Sequence, residues 1–201
     1  MKKLVTRHKL FKKIIFFLMI LIIPALLESC SSSKVRDAIN GGFEDTYDGE
    51  NPDGWFANDL PQTKKYAALE VDNSVAHTGD NSILISIFDD HPPEITLYNW
   101  IRRVDGLKEG ETYEMQGWVK TKDIESSPFI DVQCWSNTKM IGVASTKNNY
   151  SITGTKNWQS VKAIFSIPKG TTKILIRAGI TSSQNSGGKV WFDDINISKT
   201  K

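Results

Sequence analysis

The sequence predicts an all-β fold in which two antiparallel sheets pack as a β-sandwich with jelly-roll connections. Beyond about residue 38, apolar side chains recur at every second position in short segments. This period of two indicates strands with one buried face, and no window keeps a helical period over three turns. Turn residues separate the segments, and the spacing predicts about eight to ten strands.

The first segment of the chain predicts export. It has a basic start, followed by an apolar run of fourteen residues at 14–27 that is broken by a single proline. The run suits the core of a signal peptide better than a membrane span, which needs about 20 residues. Leu27, Ser29 and Cys30 then resemble the lipobox of bacterial lipoproteins, although Glu28 stands where a small uncharged residue is usual.

We therefore expect a signal peptide at 1–29, a lipidated Cys30, and a short Ser-rich tether that completes the segment 30–37. The resemblance implies a protein of the bacterial cell envelope, anchored in a lipid bilayer by its acyl chains, at the outer membrane or the cell surface. The alternative is a signal-anchor helix that ends in an ordinary thiol. Both interpretations place the rest of the chain outside the cytoplasm.

Removal of the signal changes the charge balance. The chain has 25 Lys and Arg against 23 Asp and Glu, and residues 1–29 contain six of the basic and one of the acidic side chains. The remaining 19 basic and 22 acidic side chains form a mildly acidic domain, so the charge predicts no nucleic-acid partner. Besides Cys30 the only cysteine is Cys134, which we expect to be a buried free thiol.

One domain is expected at 38–199, which is long enough to form its own core. Alternation is clearest in four segments, at 83–87, 113–119, 161–167 and 174–180. Further strands are predicted at 66–72, 95–104, 129–135 and 189–198, and turns at 78–81, 108–110, 168–170 and 186–188.

Six short motifs occur in order across this domain. They are Asn40-Gly41-Gly42-Phe43-Glu44, Pro52-Asp53-Gly54-Trp55, His77-Thr78-Gly79-Asp80-Asn81-Ser82, Gly110-Glu111-Thr112-Tyr113 leading into Gly117-Trp118-Val119-Lys120-Thr121, Trp158, and Val190-Trp191-Phe192-Asp193-Asp194-Ile195. Together they resemble the carbohydrate-binding modules of the cellulose- and xylan-binding, galactose-binding-like type. The resemblance implies a β-jelly roll, non-catalytic binding of a poly- or oligosaccharide and a structural calcium ion, and it leaves the sugar undetermined.

The residues themselves argue in part for calcium. Asp193 shares its parity in the last predicted strand with Ile195 and Ile197, which places a carboxylate on the buried side, where it needs a partner. Glu44 stands in the predicted first strand, and the terminal strands of such sandwiches commonly lie close together. Calcium takes about six to eight oxygen ligands, which carboxylates and loop carbonyls supply.

The resemblance implies a specific ligand set. Gly42 gives its carbonyl oxygen, Glu44 and Asp193 give their carboxylates, and Thr78 and Asn81 give oxygens from a turn. Asp194 takes the place of Asp193 if a β-bulge shifts the parity. The alternative is an exposed acidic pair at the end of a strand.

Trp135 is one candidate platform for a sugar, because sugar rings stack on aromatic faces while polar side chains bind the hydroxyls. In 129–135 the apolar residues share one parity and leave Asp131, Gln133 and Trp135 on the other face. The alternative is a solvated face, or one covered by a loop such as 145–157.

Trp100 is the second candidate platform, in a row with Tyr98 and Arg102, although Val104 shares their parity and leaves the facing of this strand open. In the family, central strands of this kind line a groove that holds a glycan chain. The other four of the six tryptophans fall at motif positions and are expected to be structural.

No catalytic motif of a known class stands out. A glycoside hydrolase or lyase would need two carboxylates in one groove, and Asp131 with Glu114 is the pair that the sequence offers. The sequence favours a membrane-anchored, non-catalytic lipoprotein that captures polysaccharide at the cell envelope, in association with polysaccharide-degrading enzymes on other chains. The alternative is a structural or protein-interaction lipoprotein with the same fold and no sugar binding.

Overall fold

The computed structural model of the chain describes residues 39–58, 64–182 and 184–200. These residues form ten strands: β1 (Trp55–Ala57), β2 (Ala67–Asp72), β3 (Ser82–Ile87), β4 (Leu97–Val104), β5 (Thr112–Ile124), β6 (Phe129–Ser136), β7 (Lys139–Ser145), β8 (Gly154–Ser166), β9 (Lys173–Thr181) and β10 (Lys189–Lys199). Single turns of 3₁₀ helix stand at Lys64–Tyr66 and Thr146–Asn148. The predicted signal peptide at 1–29, the lipidated Cys30 and the tether at 30–37 lie outside the described residues.

The strands form two five-stranded sheets in which all neighbours are antiparallel. The first sheet has the order β1-β4-β9-β6-β7, and the second has the order β2-β3-β10-β5-β8. The sheets pack face to face as a sandwich, which confirms the predicted fold class. Within the described ranges no helix is long and apolar enough to cross a membrane.

The core lies between the sheets and takes alternate residues from both. Met115 and Phe192 of the second sheet and Ile130 and Ile176 of the first are all 0% exposed. Cys134 is a buried free thiol, as predicted. Burial raises the pKa of the Cys134 thiol.

The segment 39–46 differs from the first strand that the sequence predicts. Asn40 and Phe43 adopt left-handed backbone conformations, with φ of 47° and 60°, which are incompatible with a regular strand. The segment nevertheless lies beside the last strand, as predicted, because the N–H of Ile195 donates to the carbonyl of Gly41 at 2.8 Å. Phe43 is fully buried and its ring packs on Trp55, with 5.2 Å between the ring centroids.

The sequence also misses two edge strands, β1 and β7, and the first half of β8. The predicted loop at 145–157 is instead partly strand, since β8 begins at Gly154. The first seven residues of β8 alternate poorly because this half of the edge strand is exposed on both faces, apart from the half-buried Trp158. Period two is lost wherever a strand buries neither face.

Candidate functional site

The outer face of the first sheet carries the row that the parity of β6 predicts. Ile130 and Val132 point into the core, and Asp131, Gln133 and Trp135 lie on the opposite face. Trp135 and Asp131 are half-buried. The placement is therefore confirmed, while a role in ligand binding stays a prediction.

The other predicted row faces the wrong way. Tyr98 and Trp100 are 0% and 1% exposed and belong to the core, and the Trp100 indole N–H donates to the carbonyl of Leu84 on the other sheet at 3.4 Å. Arg102 shares this inward parity, and its Nη1 donates to the carbonyl of Asp53 at 3.2 Å. Tyr98, Trp100 and Arg102 face inward because they share the parity of Val104, which is buried in the core. This row therefore offers no open platform for a sugar.

The opposite parity of β4 brings Asn99 to the outer face, where it meets residues of two other strands. Asn99 and Phe129 are the cross-strand partners of Gly179 from either side. A Cβ at Gly179 would lie 2.6 Å from the Asn99 Cβ and 2.8 Å from the Phe129 ring. Glycine at this position therefore lets the two side chains approach each other across β9.

Arg177 on β9 lies at the centre of this face. Its neighbours in register are Ile101 on β4 and Asp131 on β6. The Arg177 Nε donates to the Asn99 Oδ1 at 2.9 Å. Burial lowers the pKa of the Arg177 guanidinium, and the Asp131 charge opposes this shift. Burial raises the pKa of Asp131, against a hydrogen bond from Ser145 and the charge of Arg177.

Two polar atoms beside Arg177 are buried and lack a hydrogen-bond partner within the described part of the chain. They are the Asn99 Nδ2, a donor, and the Asp131 Oδ1, an acceptor. An unpaired buried polar group costs about 1–3 kcal/mol, and native proteins retain few of them. Asn99 is fully buried, whereas Asp131 and Arg177 are half-buried and reach the surface of this face.

Trp135 supplies the aromatic part of the face. Its indole N–H donates to the Gln133 Oε1 at 3.3 Å, and the Lys173 Nζ lies 5.0 Å from the ring centroid. Met140 and Val143 of β7, on the rim beside it, are 44% and 56% exposed. An aromatic ring beside amide, carboxylate and guanidinium groups is the combination that binds both faces and hydroxyls of sugars.

The candidate catalytic pair is not assembled. Asp131 lies on the outer face of the first sheet, whereas Glu114 belongs to β5 in the second sheet and pairs with Lys162 at 3.2 Å. Two carboxylates on opposite sides of a sandwich cannot act on one glycosidic bond. Asp131 and Glu114, the carboxylate pair that the sequence suggests for a hydrolase, therefore do not form an active site.

Four of the predicted calcium ligands, Glu44, Thr78, Asn81 and Asp193, meet around the turn at 77–81. The Glu44 carboxylate accepts the N–H groups of Asp80 and Asn81 at 3.0 and 3.2 Å. The Asp193 Oδ2 accepts those of His77 and Thr78 at 2.7 and 3.2 Å. Glu44 and Asp193 thus bind adjacent parts of the same turn.

Asp193 and Asp194 form a buried acidic pair where β10 has its bulge. Burial raises the pKa of Asp193 to about 6, with a further contribution from the Asp194 charge. Asp194, the alternative ligand, accepts the Thr78 hydroxyl at 2.7 Å and pairs with the His77 Nδ1 at 2.6 Å. Across the described ranges no three His, Cys, Asp or Glu side chains converge on one point. The oxygen donors suit calcium in kind, and the ion itself stays a prediction.

Fold and outer face together describe a β-sandwich module with one aromatic and polar face. The chain belongs to the carbohydrate-binding domain family, whose model matches residues 38–184, more than half of the chain. No curated protein matches the sequence of this chain.

Solved structures agree on the fold. The CBM22-1 xylan-binding domain of Xyn10C from Paenibacillus barcinonensis has a TM-score of 0.54 and 17% identity, over 80% of this chain and 92% of that one. A cyclase from Fischerella sp. TAU has a TM-score of 0.55 and 16% identity, over 80% and 94%. The tailspike protein 4 of bacteriophage CBA120 has a TM-score of 0.54 and 12% identity over 75% of this chain, which spans only 20% of the tailspike chain. At these identities the likeness shows the fold alone.

Proposed function

We propose that the outer face of the first sheet binds a poly- or oligosaccharide and does not cleave it. The observation that carries the proposal is the half-buried Trp135, which shares its face with the half-buried polar side chains of Asp131 and Arg177. Membership of the carbohydrate-binding domain family supports the ligand class.

The geometry suggests how a glycan is held. A sugar ring stacks on Trp135 and replaces the Lys173 ammonium, which lies over the indole ring in the free protein. One hydroxyl of the chain donates to the Asp131 carboxylate, and another accepts from the Arg177 guanidinium, since both side chains are half-buried. Hydrogen bonds to charged groups in such partly desolvated positions favour the complex.

The proposal includes the anchor that the first thirty residues predict. A lipid on Cys30 would hold the domain at the cell envelope, where a captured polysaccharide meets enzymes carried on other chains. Binding without cleavage is consistent with the separation of Asp131 and Glu114 on different sheets.

We also propose a structural calcium ion beside the turn at 77–81. The Gly42 carbonyl, the Glu44 and Asp193 carboxylates, and side-chain oxygens of Thr78 and Asn81 would hold it. The buried carboxylate of Asp193 supports this, since a bound cation compensates the cost of burying a charge. The ion would tie the N-terminal segment to the last strand.

Affinity gel electrophoresis tests the proposed function. The full-length chain is run through gels that contain soluble xylan, β-1,4-galactan or a mixed-linkage glucan, and the wild type should be retarded by at least one of them. Trp135→Ala should abolish the retardation. The matched control is Ile164→Ala, which removes a 63% exposed apolar side chain from the outer face of the second sheet and should leave it unchanged.

Retardation that survives Trp135→Ala would place the ligand elsewhere. Unchanged mobility of the wild type across the glycan panel would favour a structural or protein-interaction role.

A further inference from the structure

Three lysines lie on the outer face of the second sheet, on the side of the sandwich opposite to Trp135, and a fourth lies beside them on the edge strand β8. They are Lys120 and Lys122 on β5, Lys156 on β8 and Lys189 on β10, and we call them the lysine patch. Lys122 is the cross-strand partner of Lys189, and Lys120 is that of Trp191. Directly opposed side chains lie about 5 Å apart at Cβ, so the register itself brings like charges together.

The lysine patch forms no ion pairs of its own. None of its four ammonium groups forms an ion pair with a described residue. Asp72 and Asp123 lie nearby and offset part of the charge, but both carboxylates bind neutral donors and neither contacts a lysine of the patch. Asp123 accepts the Thr155 hydroxyl at 2.9 Å, and Asp72 accepts the Trp191 indole N–H at 2.8 Å. Like charges placed opposite each other destabilise a sheet, and such an uncompensated cost is typical of a functional surface.

The lysine patch borders an open depression with a volume of about 390 Å³. Trp191 lines the depression, together with Thr155 and Asn157 and three of the four lysines. Trp191 is 7% exposed, so it forms part of the floor and does not protrude. The stems of the lysines add apolar surface to that floor, while hydroxyl and amide groups stand at its rim. This arrangement suits a sugar ring that carries negative charge.

We infer that the lysine patch is a second binding site, and that its ligand is an acidic polysaccharide. The carboxylate or sulfate groups of the chain pair with the lysine ammonium groups, and its sugar rings lie against Trp191 and the lysine stems. This site is on the opposite sheet from Trp135 and does not depend on the function proposed for that face. With both sites occupied, one molecule bridges two polysaccharide chains.

An anionic membrane would also attract lysines, yet the shape of the site favours a polysaccharide. Surfaces that bind bilayers insert protruding apolar side chains into the headgroup region. Trp191 instead lies at the bottom of a depression. Membrane binding is therefore an outcome that the experiment must separate from the one we infer.

The test measures binding of the full-length chain to polygalacturonic acid by affinity gel electrophoresis and calorimetry, at low and high salt. The double variant Lys122→Gln/Lys189→Gln should bind about tenfold more weakly than the wild type, because two partly exposed ion pairs are lost. The matched control is Lys108→Gln/Lys169→Gln, which makes the same charge change in exposed loops at the other end of β5 and β8. The control should bind as the wild type does. Raising the salt concentration should weaken wild-type binding, since exposed charges are screened.

Three results would overturn the inference. The first is that the wild type does not bind polygalacturonic acid, or that the double variant binds it as tightly as the wild type does. The second is loss of polygalacturonic acid binding in Trp135→Ala, which would place the acidic chain on the first sheet. The third is patch-dependent binding to phosphatidylglycerol vesicles that exceeds binding to polygalacturonic acid, which would identify a membrane as the partner. If neutral glycans do not bind, only the function proposed for the first sheet fails. The inference about the lysine patch depends on polygalacturonic acid alone.

Discussion

The buried carboxylate of Asp193 should make the protein less stable as the pH rises from about 3 to about 7, in the absence of divalent cations. Burial raises the pKa of Asp193 from 3.8 to about 6 in the folded chain. Between these values the unfolded chain releases the proton while the folded chain keeps it, so unfolding becomes more favourable with rising pH. A rise of the pKa from 3.8 to about 6 corresponds to about 3 kcal/mol of stability.

The comparison that isolates this effect is between the wild type and Asp193→Asn. Other carboxylates also titrate in this range, such as Asp72, whose pKa is lowered by hydrogen bonds, and Asp131, whose pKa is raised by burial, and they are present in both proteins. Urea unfolding followed by tryptophan fluorescence, with a chelator present, gives the free energy of unfolding at each pH. The wild-type value minus the variant value should fall by about 3 kcal/mol across the range. A difference that stays constant with pH would refute this reasoning.

Three other predictions concern the calcium site, the glycan-binding face and the core. Calcium at about 100 times its dissociation constant should add about 2.7 kcal/mol to the free energy of unfolding, and equal melting with and without chelator would exclude the ion. Gly179→Ala should weaken glycan retardation and cost about 1–3 kcal/mol, because the new methyl group meets Asn99 and Phe129; wild-type affinity would contradict the placement of the site. Phe192→Ala should cost about 3–5 kcal/mol in urea unfolding, since the ring is fully buried; a loss below 1 kcal/mol would contradict that burial.

The sequence predicts the two-sheet fold and one row of the candidate face because β6 is unambiguous. Its apolar residues share one parity, so Asp131 and Trp135 can only face outward. In β4 both parities contain large apolar residues, with Leu97 and Ile101 on one side and Trp100 on the other. Alternation alone cannot orient such a strand, and the prediction for Trp100 is wrong for that reason.

The partners of Asp131 could not be predicted because they come from strands far apart in the chain. The order β4-β9-β6 places Asn99 and Arg177 beside it, and no local pattern contains that order. One signal was available in β9, where Arg177 is the charged exception between apolar neighbours of a central strand. The left-handed conformation of Phe43 is likewise set by tertiary packing, since non-glycine residues rarely adopt it.

The thiol of Cys134 gives the first sheet a built-in reporter of local opening. It is 3% exposed, lies opposite Gly142 of the edge strand β7, and has a pKa that burial raises. A thiol reagent can therefore react only when β7 separates from β6 or the domain unfolds, because the thiolate is the reactive form. The labelling rate at Cys134 thus measures how often this edge of the sandwich detaches, and a glycan seated on Trp135 should slow it.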